Sequence, residues 1–266
     1  MAKRCHFKGG HFRVEVSLWG DMIVTGDDKK CGDAAKGNKA GGDRAGGDNA
    51  AEWLPPKMRD LDISIPYSNP PTDRLMDFYA SWAENYDTDL IDAYGYMAPT
   101  DAVAAIMTLG LPSDARILDA GCGTGQAGAL LATAGFTHLD GADLSPEMRA
   151  VAARLGVYQR LYHLDMTTDY APQIVDFGRT YDAVICVGVF GYGPPYVEDL
   201  PRIMDAARPG APVLVTVNGR GWEKMGWDDS LIPVLAAADV TLAARTRIRH
   251  MVKEGVHAEL LDLRKG

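Results

Sequence analysis

From residue 116 onward, short apolar runs alternate with segments of helical spacing. The stretch from Arg116 reads as a short apolar strand ending in an acid, Asp119; a glycine turn follows and opens a helix over Gln126 to Ala134. Thr137 to Asp143 predicts a second strand, again ending in an acid. Ser145 is a good N-cap and Pro146 a good first residue for the helix after it. Leu161 to Met166 is a third short apolar segment, and it contains Asp165. The continuous apolar run Tyr181 to Phe190 suits a central strand buried on both faces. Ala211 to Val217 follows the turn Arg208-Pro209-Gly210. Val240 to Ile248 and Val256 to Leu263 flank Lys253-Glu254-Gly255 and predict a hairpin. Strands alternating with helices and closing in a hairpin predict an α/β fold whose mostly parallel sheet has an antiparallel edge, with an antiparallel C-terminal strand.

The N-terminal part has a different pattern. Phe12, Val14, Val16 and Leu18 alternate with polar residues, as in one exposed strand, and a lone strand is not a domain. Residues 26–52 contain no Val, Ile, Leu, Met, Phe, Trp or Tyr, so disorder is expected there. The expected division is an extension over 1–57 and a main domain over 58–266, with a cap segment over about 58–110. Met58 is a candidate alternative translation start.

Composition narrows the function classes. A chain of 266 residues, 47% hydrophobic, has enough apolar surface for one full core. The net charge is −9; residues 1–57 hold 10 Lys/Arg and 8 Asp/Glu, so the excess of acid lies in the main domain. Such a domain is poorly suited to hold a phosphate backbone, and nucleic acid is not an expected partner. The four cysteines form no disulfide framework, which points to a reducing, cytoplasmic setting. No apolar run approaches the length of a bilayer span, so no membrane partner is expected. Cys5, His6, His11 and Cys31 fit no standard zinc spacing, and no metal site is expected.

The chemistry concentrates in the glycine turn. Gly121, Gly123 and Gly125 alternate, which lets backbone approach a ligand without a Cβ between them. Gly123-Thr124-Gly125-Gln126-Ala127-Gly128 also fits the dinucleotide pattern G-x-G-x-x-G, but the fit lies partly inside the helix, and Gly128 reads better as a helix–sheet packing residue. A carboxylate at Asp119 is a poor neighbour for a pyrophosphate and a good one for a cation, such as the amino group and sulfonium of S-adenosylmethionine. Asp143 is placed to accept hydrogen bonds from two ribose hydroxyls. Asp165 suits the exocyclic amine of adenine, and Met166 suits its ring face. Three strand-end acids in series put a nucleoside ligand along the carboxyl edge of the sheet. A hairpin after the βα series is a second reason to set a dehydrogenase domain aside.

The segments "ILDAGCGTG", "GADLSPEMRAVA", "LYHLDM", "YDAVICVGVF" and "AARPGAPVLVTVNG" make residues 76–264 resemble a class I S-adenosylmethionine-dependent methyltransferase. The upstream "FYASWAENYDTDL" and "YGYMAP" resemble the Williams–Beuren region methyltransferase family. The resemblance implies a Rossmann-like seven-stranded sheet with helices on both faces. It also implies cofactor contacts at Asp119, Gly121, Cys122, Gly123, Asp143, Leu144, Asp165, Met166, Val187 and Tyr86. Tyr79, Trp82 and Tyr86 are implied pocket residues, although Phe78, Trp82 and Tyr86 also fit the buried stripe of an amphipathic helix.

Methyl transfer from a sulfonium needs alignment more than acid–base help. Tyr192, Asn218 and Trp222 are further candidates for the substrate pocket, and none is an evident base. His163 reads as structural, and no catalytic base is assigned. Gly193-Pro194-Pro195-Tyr196 lacks the polar side chain of the amino-methyltransferase motif, and with Asn69-Pro70-Pro71-Thr72 it reads as a proline turn. The expected substrate is a small molecule with an O, N or S nucleophile. The alternatives are a protein or RNA methyltransferase, or a non-catalytic module that binds adenosylmethionine. The oligomeric state is open.

Overall fold

The computed structural model describes residues 3–7, 10–16, 22–26, 65, 70–168 and 181–266. The chain divides into two units, residues 1–57 and 58–266. In the first, β1 (Lys3–Phe7), β2 (Gly10–Val16) and β3 (Met22–Gly26) form an antiparallel sheet in that order. The single exposed strand expected from residues 12–18 is corrected: β2 pairs on both sides. β1 opens with two cationic residues and β3 opens with three apolar ones in a row, so neither alternates strictly enough to mark a strand. The low-complexity stretch expected to be disordered lies outside the described residues, except for Gly26, which ends β3.

The second unit carries strands β4 (Arg116–Ala120), β5 (His138–Asp143), β6 (Arg160–His163), β7 (Ala183–Phe190), β8 (Val213–Asn218), β9 (Val240–Met251) and β10 (Val256–Lys265). The described helices are α1 (Thr72–Trp82), α2 (Tyr86–Asp89), α3 (Ala98–Met107), α4 (Gln126–Ala134), α5 (Pro146–Ala153), α6 (Leu200–Ile203), α7 (Gly219–Lys224) and α8 (Trp227–Ala237). The sheet order is β6-β5-β4-β7-β8-β10-β9. Strands β6 to β8 pair in parallel, and β10 runs antiparallel to both its neighbours. Gly255, at φ 62°, supplies the left-handed position in the β9–β10 turn.

The pleat explains the two cores. Leu118, Val184, Val215 and Leu261 face one side, where they pack with Leu231 and Leu235 of α8. Ile117, Ile185, Leu214 and Leu260 face the other, against Val103 and Ile106 of α3 and Leu131 of α4. Each such side chain, once fully buried, contributes about 1.5–3 kcal/mol. Among these strands the chain moves outward from β4 to β5 and β6, then returns to β7 on the opposite side of β4. The strand order therefore reverses between β4 and β7, and a crevice opens at the carboxyl ends beside that point.

Candidate functional site

The cavity at this reversal is lined from below by strand ends and from above by the segment that precedes the sheet. Asp119, Gly121, Cys122 and Gly123 come from the end of β4 and its turn; Asp143 and Leu144 from the end of β5. Asp165 and Met166 follow β6, Val187 lies in β7, and Tyr86 starts α2. Those ten positions, scattered over 102 residues of sequence from 86 to 187, meet around one cavity. Tyr79 of α1 lines it too.

Asp143 is organised by backbone. Its Oδ2 accepts from Gly123 N–H at 2.8 Å and its Oδ1 from Ser145 N–H at 2.9 Å. Ser145 caps α5, its side-chain oxygen accepting from Met148 N–H. The Leu144 N–H supports it as well; a carboxylate has about four acceptor positions, so it keeps capacity for a ligand hydroxyl. Asp165 Oδ1 accepts from Thr167, both N–H at 2.9 Å and hydroxyl at 2.7 Å.

Asp119 is almost fully buried, at 1% exposure. Burial pushes its carboxyl up to about 7; the Tyr158 hydroxyl, donating at 2.6 Å, opposes that rise, and the Asp143 charge adds to it. Asp143 is raised as well, again by burial. Among the described residues no Lys, Arg or His lines this cavity. Burial disfavours both carboxylates as anions; Arg149 partly offsets this at Asp143, and a cationic ligand would do the same for Asp119.

Three features were missed by sequence reasoning. Tyr158 holds Asp119, and Gly128 makes that contact possible, because a Cβ there would lie 2.1 Å from the Tyr158 hydroxyl. Gly128, read from the sequence as a helix–sheet packing residue, instead makes room for the Tyr158 side chain. Asp87 reaches from α2 to the turn: its Oδ1 accepts from the Thr124 hydroxyl and from Gln126 Nε2 at 2.7 Å. Tyr96 lines the cavity, its hydroxyl filling the space that a Cβ at Gly188 would occupy at 2.3 Å. No spacing in the sequence marks Tyr158 or Tyr96; the acid run after Tyr86 contains Asp87 without distinguishing it.

Trp82, Tyr192, Asn218 and Trp222 are not among the lining residues. Trp82 is buried with Phe78, Leu90 and Tyr94, and its Nε1 donates to Asp89 at 2.9 Å. Its ring lies edge-on to Tyr86 at 4.7 Å, so it supports a cavity residue from outside. Asn218 caps α7, accepting from Arg220 and Gly221 N–H. Trp222 is buried under the Arg245 guanidinium, 3.9 Å from the ring centroid, and beside Trp227. Tyr192 stands near Lys224, whose Nζ is 5.7 Å from the ring centroid. His163 ends β6, its Nδ1 3.5 Å from Arg149 Nη1, and does not line the cavity.

The donor set fits S-adenosylmethionine. Asp143 offers acceptors for a diol, Asp165 one for an amine, and Asp119 a negative charge for a cation. Gly121, at φ 75°, packs so closely that a Cβ would lie 2.2 Å from Val189 Cγ2.

Comparison with known proteins gives the same direction. A family model for a methyltransferase domain matches residues 87–262. Human methyltransferase-like protein 27 is 36% identical over 143 residues, covering 53% of this chain and 56% of that protein; the match spans about half the length of this curated relative. Magnesium protoporphyrin IX methyltransferase from Synechocystis shares the fold. Its structure with bound S-adenosylhomocysteine gives a TM-score of 0.52 at 16% identity, over 77% of this chain and 99% of that one. Its structure with bound S-adenosylmethionine gives 0.50 at 18% identity, over 82% and 100%. With the seven-stranded order, the antiparallel β10 and the acid-lined crevice in place, this chain belongs to the methyltransferase domain family and carries the class I fold of S-adenosylmethionine-dependent methyltransferases.

Proposed function

We propose that this chain moves the methyl group of S-adenosylmethionine to an O, N or S nucleophile of a small molecule by in-line displacement. The observation that carries this reading is the cavity at the β4–β7 reversal, with three acids on its floor and tyrosines of the preceding segment above them. The bound sulfonium supplies an activated methyl group; the protein's part is positioning. Asp143 and Asp165 orient the nucleoside, and Asp119 holds the cationic end. Leu75, Met76 and Tyr79 of α1, with Tyr86 and Tyr96, limit the entry of water. We assign Trp82 to the support of this site and Asn218 and Trp222 to the support of the fold, and we keep residues 58–266 as the catalytic domain.

A small acceptor is favoured over a macromolecule by the same roof and by the absence of a cationic lining among the described residues. The test is to incubate the full chain with methyl-labelled adenosylmethionine and a cell extract, and then to separate small molecules from protein and RNA. Label in the small-molecule fraction supports the proposal. Label confined to protein or RNA would overturn it in favour of a macromolecular acceptor.

A further inference from the structure

Leu75, Met76, Tyr79, Tyr96, Pro194 and Pro195 also line the cavity. Tyr96 is fixed by the backbone: it forms a bridge with Met251, and Met97 N–H donates to the His250 carbonyl at 2.8 Å. Its hydroxyl lies against Gly188 of β7, whose φ of 75° and missing Cβ give it room. These tyrosine, leucine, methionine and proline side chains form a slot shared with the carboxylates of Asp119 and Asp143.

Two kinds of acceptor fit this slot badly. An anion would enter a cavity that holds three carboxylates and, among the described residues, no cationic side chain. Among the described lining residues, a nucleophile that must first lose a proton finds only tyrosines and the carboxylates that the reading above gives to the cofactor. Burial holds the Tyr79 hydroxyl up to about 12 and raises that of Tyr96 further. The His250 ring packs edge-on against Tyr96 at 5.2 Å but does not line the cavity. Asp119 already accepts from Tyr158, and the proposal above gives its charge to the cationic end of the cofactor. Tyrosine faces and a methionine thioether, by contrast, suit a flat, soft cation.

Resting on the methyl-transfer reading above, we propose that the acceptor is an uncharged aromatic nitrogen heterocycle and that the product is its N-methyl cation. The ring nitrogen's lone pair forms the new N–C bond while the S–C bond breaks and its electron pair goes to sulfur. The positive charge moves from sulfur to the ring nitrogen, and no proton changes hands. The cavity therefore holds one cation before and after transfer, so its carboxylates keep a partner throughout, and no base is required.

The test uses the full chain, methyl-labelled adenosylmethionine and four compounds on one two-ring skeleton: isoquinoline, naphthol, naphthalenethiol and naphthoate. We expect label in N-methylisoquinolinium by about tenfold or more over the other three. The rate should be flat between about pH 7 and 9, since no deprotonation precedes transfer. By calorimetry, N-methylisoquinolinium should bind the protein loaded with S-adenosylhomocysteine and naphthoate should not. Titration with S-adenosylhomocysteine alone separates the two levels. If it fails to bind, the methyl-transfer reading itself falls. If it binds, while label goes to naphthol, thiol or naphthoate or to none of the four, or naphthoate binds the loaded protein, the heterocycle proposal is overturned.

Discussion

The ends of β5 and β8 look alike in sequence and do different work. Each closes an apolar strand with a short polar side chain before a helix, Asp143 in one case and Asn218 in the other. Asp143 lies one strand from the β4–β7 reversal, where no strand covers the carboxyl edge, and it lines the cavity. Asn218 lies on the far side of β7, and its Oδ1 is spent on two N–H groups of α7. β5 and β8 each lie one strand from the reversal, so distance from it does not separate them: Asp143 is tied to the glycine turn of β4 on the cavity side, whereas Asn218 is turned into the helix that follows it.

This contrast yields predictions of decreasing size. Trp222→Ala should destabilise the fold by about 3–5 kcal/mol, the usual loss for a buried aromatic, while leaving S-adenosylhomocysteine affinity within about twofold. Denaturant unfolding and calorimetry on the same sample check both; a folded variant that has lost binding would move the β8 end into the site. Gly121→Ala should cost about 2–4 kcal/mol, from a left-handed φ and a Cβ driven into Val189, and should weaken binding as well. If stability and binding are both unaffected, the close packing of the turn is not what shapes the cavity.

Asp119 links the site to pH. Its folded value of about 7 exceeds the ordinary 3.8, so it favours folding below about 4, and that contribution declines as pH rises and is gone above about 7. Asp119→Asn should therefore flatten the stability profile of the ligand-free protein over that range. Binding runs the other way, because a cationic ligand end needs the ionised acid: affinity should fall by up to about tenfold per pH unit below 7, and not in Asp119→Asn. A pH-independent affinity in the unmodified protein would remove Asp119 from the cationic end. The smallest effect is expected from Asp87→Asn, which weakens two contacts with the glycine turn, by about 1 kcal/mol. Stopped-flow release of S-adenosylhomocysteine should quicken several-fold, and an unchanged rate would mean that this tie does not hold the roof closed.

Most of the sheet was legible because strands buried on both faces leave unbroken apolar runs, as in Val184 to Val187, and because Gly255 marks the turn before β10. The β4 turn was legible because its glycines answer to backbone geometry, which depends on local sequence. The roof was harder. Helical spacing placed Phe78, Trp82 and Tyr86 on one stripe, yet Phe78 and Trp82 enter the core while Tyr79 and Tyr86 reach the cavity. Periodicity defines a face of α1 but not what that face meets. Tyr158 and Tyr96 could not be found for a related reason: their roles come from contacts with Asp119 and Gly188, 39 and 92 residues away in sequence. In the N-terminal unit, pairing between backbones formed a sheet where the side-chain pattern marked one strand.

The most direct measurement is calorimetric titration of the full chain with S-adenosylhomocysteine, beside NAD and beside Asp143→Ala. We expect saturable binding of S-adenosylhomocysteine, none of NAD, and loss of binding in the folded Asp143→Ala protein. Binding of NAD in place of S-adenosylhomocysteine, or full affinity in Asp143→Ala, would contradict the assignment of this cavity to the cofactor.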